Sequence, residues 1–204
     1  SIEKTRQELT AETRKLDSRK NEYDLTKSLV ENLEGFPESI KFLKKNAKWS
    51  KEAPLLSDVI YCAEEYRVAI ENYLEPSLNY YVVQNIQEAA MAVNMLNDSS
   101  MGRANFFILD EIESYEPELP GLLSGARRVS ELVEMDPQYK KLGAYLLDGV
   151  LLVDDAQNID IPKLDMSKKE RGAVISKSGR YIRRHFSLSG GAVGLFEGKK
   201  IDRA

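Results

Sequence analysis

Residues 179–194, GRYIRRHFSLSGGAVG, read as a short basic strand running into a turn of small residues. Gly190 and Gly191 leave no side chain on the backbone there, so a second backbone can come close. Just upstream, residues 173–176 make another apolar strand. Lys177, Ser178 and Gly179 close it against residues 181–186 as a hairpin, with Gly179 supplying the positive φ that such turns need. Downstream, the chain resumes a charged helical pattern, LFEGKKIDRA.

The same pattern opens the chain. Over residues 1–33, Ile2, Leu9, Leu16, Tyr23 and Val30 recur every seven positions. Apart from Ala11, Leu25 and Leu29, the residues between them are polar or charged. One apolar position per heptad buries too little to hold a lone helix, so the arm needs a partner helix. Residues 195–204 are the candidate returning arm. The chain starts at serine inside a helical pattern, which points to a piece of a longer, soluble, intracellular polypeptide.

Between the arms, Gly35 and Pro37 end the first helix. A short helix follows around residues 40–43, and Trp49 and Pro54 fall in a connecting loop. Residues 55–63 read as a buried strand and residues 64–74 as a helix with Tyr66, Ile70, Tyr73 and Leu74 on one face. Residues 80–83 are a strand, and residues 85–96 a helix whose apolar side is Ile86, Ala89, Ala90, Val93 and Leu96. Residues 103–109 are a third strand. The acidic, proline-punctuated stretch 110–120 reads as a linking loop. Residues 128–135 alternate like a strand or form a helical turn. A helix at 137–147, a buried strand at 149–153 and a polar stretch at 155–171 precede the hairpin. The expected fold is mixed α/β: residues 34–194 form two lobes, at about 34–110 and 121–194, entered and left by antiparallel helical arms.

Little in this sequence supports catalysis. The lone cysteine, Cys62, excludes an internal disulfide and a multi-thiolate zinc site, and a buried thiol suits its apolar run. The glycines of GLFEGKK at 194–200 are too close together for a phosphate loop, and a lysine stands where the magnesium-binding hydroxyl belongs. The one histidine, His185, has no nucleophile in the pattern around it. Asp154 and Asp155 follow a strand directly, where turn or helix-cap use is the ordinary role. No cofactor or metal is expected in this stretch of chain. The net charge is −4, yet from Lys163 onward eleven basic residues face four acidic ones, a local +7. Charge fixed on a hairpin and an arm root is what sequence-independent phosphate binding needs.

Taken in order, NLEGFPESIKFLKK, VVQN, GRANFFILD, LLDGVLLVDD and SLSGGAV resemble the successive segments of the hinge domain of SMC (structural maintenance of chromosomes) proteins of bacterial type. The resemblance covers nearly the whole chain. It implies a non-catalytic domain that joins two copies at the far end of folded-back coiled coils, with ATP and magnesium bound only at separate head domains. It places the homodimer interface at Gly102, Arg103, Ala104, Ser187, Ser189, Gly190 and Gly191. Double- or single-stranded DNA, read without sequence preference, would meet Arg180, Arg183, Arg184, Lys199, Lys200 and Arg203. No membrane contact is implied, and the setting is the cytoplasm, associated with the nucleoid. His185 and Phe186 stand where relatives carry a further glycine pair, and Ala192 through Gly198 separate the later glycines from Lys199 and Lys200. The alternative from another class is a small nucleotide-binding or enzymatic α/β domain, with a pocket at Asp154, Asp155 or His185. A zinc-hook coiled coil would need the C-x-x-C that is missing.

Overall fold

The structure is a computed structural model. It describes all residues except 1, 32–34, 47, 51, 120, 158, 168–171, 195–197 and 202–204; side chains of 25–31 also lie outside the description. The first arm is one helix, α1 (Ile2–Glu31). Its seam residues Ile2, Leu9, Leu16 and Tyr23 are all exposed, between 65% and 82%. The returning arm falls mostly outside the described residues, which show only 198–201 of it.

The first lobe begins with α2 (Glu38–Lys45), whose Ile40 and Leu43 are buried. The stretch expected as one strand at 55–63 is instead a helical turn, α3 (Leu56–Val59), followed by the two-residue strand β1 (Tyr61–Cys62). The cause is local. The Asp58 carboxylate accepts the Leu55 N–H at 3.0 Å and closes the turn. A short, mostly apolar run cannot tell a buried strand from a buried helix by periodicity. Next come α4 (Glu64–Leu74), β2 (Tyr81–Val83) and α5 (Ile86–Asp98). Asn85 caps α5 by accepting the Glu88 N–H at 3.0 Å. The buried side of α5 is Ala89, Ala92 and Leu96, so the expected face is corrected: Ile86, Ala90 and Val93 are exposed. Small alanines let α5 lie close against β2 and β3 (Phe106–Ile108). The acidic loop opens with a helical turn, α6 (Leu109–Ile112).

The second lobe contains β4 (Ala126–Arg128), β5 (Val133–Glu134), α7 (Lys140–Leu147), β6 (Val150–Val153), β7 (Ala173–Ser176), β8 (Tyr181–Arg184) and β9 (Leu188–Gly190). A 3₁₀ turn at Val129–Glu131 between β4 and β5 resolves the ambiguous stretch as both strand and turn. Five strands form one sheet in the order β4-β6-β7-β8-β9, in which only β6 and β7 are parallel. β6 and β7 are buried throughout, as a central pair should be. Two short ladders complete the topology: β2 with β3, parallel, and β1 with β5, antiparallel.

The β1–β5 ladder joins the two stretches, and so does the core. Leu56, Ile60, Ile70 and Leu78 pack in one cluster with Leu142, Leu147, Leu152, Ile175 and Ile201. A second cluster lies wholly in the first lobe, around Trp49, Tyr81, Leu43 and Leu96. Cys62 is a buried free thiol, as its apolar setting suggests.

Candidate dimer interface

The basic strand and the glycine turn fold into a tight hairpin. The register pairs Tyr181 with Gly190, Ile182 with Ser189 and Arg183 with Leu188. The Arg184 N–H donates to the Ser187 carbonyl at 2.9 Å, and the Gly191 N–H to the Arg180 carbonyl at 3.2 Å. In an antiparallel ladder, hydrogen-bonded and non-bonded pairs alternate. Residues 187, 189 and 191 therefore spend their backbone groups on β8. Leu188 and Gly190 turn theirs outward, and β9 is the last strand of the sheet with all three residues exposed. A Cβ at Gly190 would fall on the Arg180 carbonyl oxygen, so the hairpin itself demands glycine there. Gly191 has open space around it, at φ 141°.

A second unpaired edge lies on the first lobe. The Tyr81 N–H donates to the Asn105 carbonyl at 3.0 Å, so residues 105 and 107 face β2. By alternation, Ala104 and Phe106 present their backbone groups on the other side, where no described strand pairs with β3. Ile108 turns only its N–H there, since its carbonyl accepts in the first turn of α6. Gly102 precedes this edge with φ 88°, a conformation that favours glycine. Gly102 and Arg103 are exposed, and Ala104 is half-buried. Sequence reasoning marked Gly102, Arg103 and Ala104 on one edge and Ser187, Ser189, Gly190 and Gly191 on the other, and two of these, Ala104 and Gly190, turn their backbone groups outward. Leu188 and Phe106 do so too but carry no sequence signal; only the ladder register reveals them.

The unexpected His185-Phe186 pair forms the hairpin tip. His185 bonds through Nδ1 to the Met166 carbonyl, while Phe186 is 101% exposed. Neither has a positive φ, so the turn closes without the glycines that the resemblance leads one to expect there.

The basic residues are mostly engaged within the chain. Arg183 turns its guanidinium onto the carbonyls of Arg184, His185 and Ser187. Arg184 lies 5.1 Å above the Tyr73 ring, and burial raises the Tyr73 phenol above its ordinary range. Lys199 pairs with Glu22 of α1, and Lys200 with Glu75 at 3.0 Å. Arg180 is exposed, its guanidinium 5.0 Å above Tyr181. Arg203 lies outside the described residues.

The residues of the enzymatic alternative have structural partners instead. Asp154 accepts the Ala156 N–H at 3.0 Å, and Asp155 holds Ser178 through its backbone N–H at 2.9 Å and through its hydroxyl. Among the described residues no group of His, Cys, Asp and Glu is placed to hold a metal ion, and no helix is long and apolar enough to cross a membrane.

A family profile described as "SMC proteins Flexible Hinge Domain" matches residues 50–158, over half of the chain. The chain belongs to the SMC hinge family. The "Chromosome partition protein Smc" of Chlorobaculum tepidum is 31% identical over 98% of this chain, which spans 17% of that protein's length. That of Bacillus subtilis is 27% identical over 83% of the chain and 15% of the relative. Among solved structures, an asymmetric dimer of the Geobacillus stearothermophilus SMC hinge domain has a similar fold. Its TM-score is 0.62 at 21% identity, over 90% of this chain and 77% of that one. The Pyrococcus furiosus SMC hinge domain gives 0.60 at 20% identity, over 84% and 90%.

Proposed function

We propose that this chain is the homodimerising hinge of a chromosome-partition ATPase, joining two long arms in a nucleoid-associated protein of the cytoplasm. The observation that carries the reading is the pair of unlike, unpaired strand edges. β3 offers the outward backbone groups of Ala104 and Phe106 and the Ile108 N–H; β9 offers the backbone groups of Leu188 and Gly190. Two copies related by a two-fold axis join β3 of each to β9 of the other, twice, and leave neither edge open. Gly102 and Arg103 lead into one contact, while Ser187, Ser189 and Gly191 flank the other. The exposed seam of α1 suits pairing with a second helical arm. ATP and magnesium belong, on this reading, to the head domains of the full protein. Sedimentation equilibrium tests the central point: twice the 23.1 kDa chain mass is expected, and the chain mass alone at micromolar concentration contradicts it.

DNA contact is the finer part of the proposal. Its support is the exposure of Arg180 on the basic strand, since Arg183, Arg184, Lys199 and Lys200 already have partners. Binding to duplex DNA is expected to weaken with salt. Arg180→Glu is expected to flatten the slope of log K against log[salt] by about 1 for each phosphate that the protein no longer neutralises. Fluorescence anisotropy at graded salt reads this directly; an unchanged slope moves the DNA site off the hairpin.

A further inference from the structure

Among the described residues the one buried carboxylate is Glu71, on α4. It is 2% exposed, and burial pushes its carboxyl above the ordinary range while neighbouring backbone amides pull it down. No sequence pattern marks it, because α4 reads simply as an amphipathic helix. Its oxygens face the other end of the chain. Oε2 accepts the Gly198 N–H; Oε1 accepts the Lys200 N–H and, at 2.7 Å, the Ile201 N–H. Backbone N–H groups converging on one anion form the kind of concavity that holds a carboxylate or phosphate, and Gly198, at φ 83°, lets the chain bend around it.

The same flank of α4 holds more of the second lobe. Asn72 donates to the Gly179 carbonyl at 3.4 Å. A Cβ at Gly198 would stand 3.2 Å from Val68, so the segment lies close on the helix. Lys200 pairs with Glu75 at the end of α4, and Ile201 is buried in the core cluster that both lobes share. Lys199 meanwhile reaches Glu22 on α1. Residues 198–201 are thus fastened to the core through α4 and to the incoming arm through one ion pair.

We infer that Glu71 is a positioning residue that clamps the root of the returning segment onto α4, so that the two arms leave the hinge side by side in a fixed relation. The inference rests on the hinge reading, and it makes α4 the element through which a change in arm direction reaches the core. Without the clamp, Gly198, Lys200 and Ile201 lose their acceptor, and the root is left to two exposed ion pairs, Lys199–Glu22 and Lys200–Glu75, and to the burial of Ile201. Exposed ion pairs hold little.

Amide hydrogen exchange of the intact dimer tests the clamp, with Glu22→Cys and Lys199→Cys joined by a short bis-maleimide as a second readout in a Cys62→Ala background. In Glu71→Ala, the amides of residues 198, 200 and 201 are expected to exchange at least about tenfold faster, with β6 and β7 unchanged. Cross-linking between positions 22 and 199 falls in parallel, while the dimer mass stays the same. Should Glu71→Ala fold poorly, Glu71→Gln serves. It keeps one acceptor oxygen and turns an NH₂ group toward an N–H, so either residue 198 or residues 200 and 201 lose protection. Wild-type exchange at all three amides in the folded variant, or unaltered cross-linking, overturns the clamp. A protein that is monomeric with these amides still protected overturns the dimer reading and leaves the clamp standing.

Discussion

Leu188→Pro is expected to turn the dimer into a folded monomer. The Leu188 N–H faces away from β8, because 182/189 and 184/187 are the hydrogen-bonded pairs of the hairpin. Proline there removes no bond of the chain's own ladder and is tolerated on an edge strand. It deletes an outward donor and sets a ring against the incoming strand. Two-fold symmetry doubles every loss. Two edge pairings, each weakened by about 2 kcal/mol through a missing hydrogen bond and a displaced strand, lower dimer affinity by roughly a thousandfold. Leu188→Ala keeps the N–H and loses only a half-exposed side chain, so it remains dimeric at micromolar concentration. Sedimentation velocity separates the two, with circular dichroism to confirm the fold. A proline variant as dimeric as the parent removes β9 from the interface. Gly190 is a poorer place for this test, since any side chain there strikes the hairpin's own backbone before it reaches a partner.

Trp49→Ala should be the most damaging change in the first lobe. Trp49 is the chain's single tryptophan, 5% exposed, and its Nε1–H donates to the Leu43 carbonyl at 3.0 Å. Its ring meets Tyr81 and Phe106 edge-on, with centroids 5.0 and 5.9 Å away. Tyr81 in turn donates its hydroxyl to the Ile40 carbonyl at 2.9 Å, and burial holds its phenol far above the ordinary range. Removing the indole leaves a cavity and an unpaired carbonyl, at a cost of about 3–5 kcal/mol. That lowers Tm by on the order of 10 °C for a domain of this size. Phe106 is both a neighbour of Trp49 and an outward-facing residue of the β3 edge, so dimer affinity falls along with stability. Trp49→Phe keeps most of the packing and loses less. Thermal denaturation checks the order Ala below Phe below parent; a Tm within about 2 °C of the parent for Trp49→Ala contradicts the packing.

The periodic signals in the sequence translate directly into structure. The α1 helix, the α4 face with Tyr66, Ile70 and Leu74, the buried β6 strand and the Gly179 turn at φ 80° all stand as their patterns imply. Misreadings cluster where local pattern and tertiary contact disagree. Residues 55–63 are apolar apart from Ser57 and Asp58, and the Asp58 side chain decides for a helical turn. On α5 the smallest residues face inward because β2 and β3 lie close, which a count of apolar side chains cannot foresee. Trp49 does lie in the connecting loop, as read, but its polar neighbours give no sign that it anchors a core cluster. The basic tail looks like an open field from composition alone. Its partners Glu22, Glu75 and Tyr73 lie more than 100 residues away in sequence, so only the fold reveals them.

Cross-linking between unlike edges is the most direct measurement of the account. Ala104→Cys and Leu188→Cys are each made in a Cys62→Ala background, expressed alone and then together, and treated with a short bis-maleimide. If β3 of one copy lies beside β9 of the other, their backbones stand about 5 Å apart. A cross-linked dimer is then expected only when both variants are present. Efficient cross-linking within either variant alone, 104 to 104 or 188 to 188, would mean that like edges meet, and would contradict the two-fold arrangement built here.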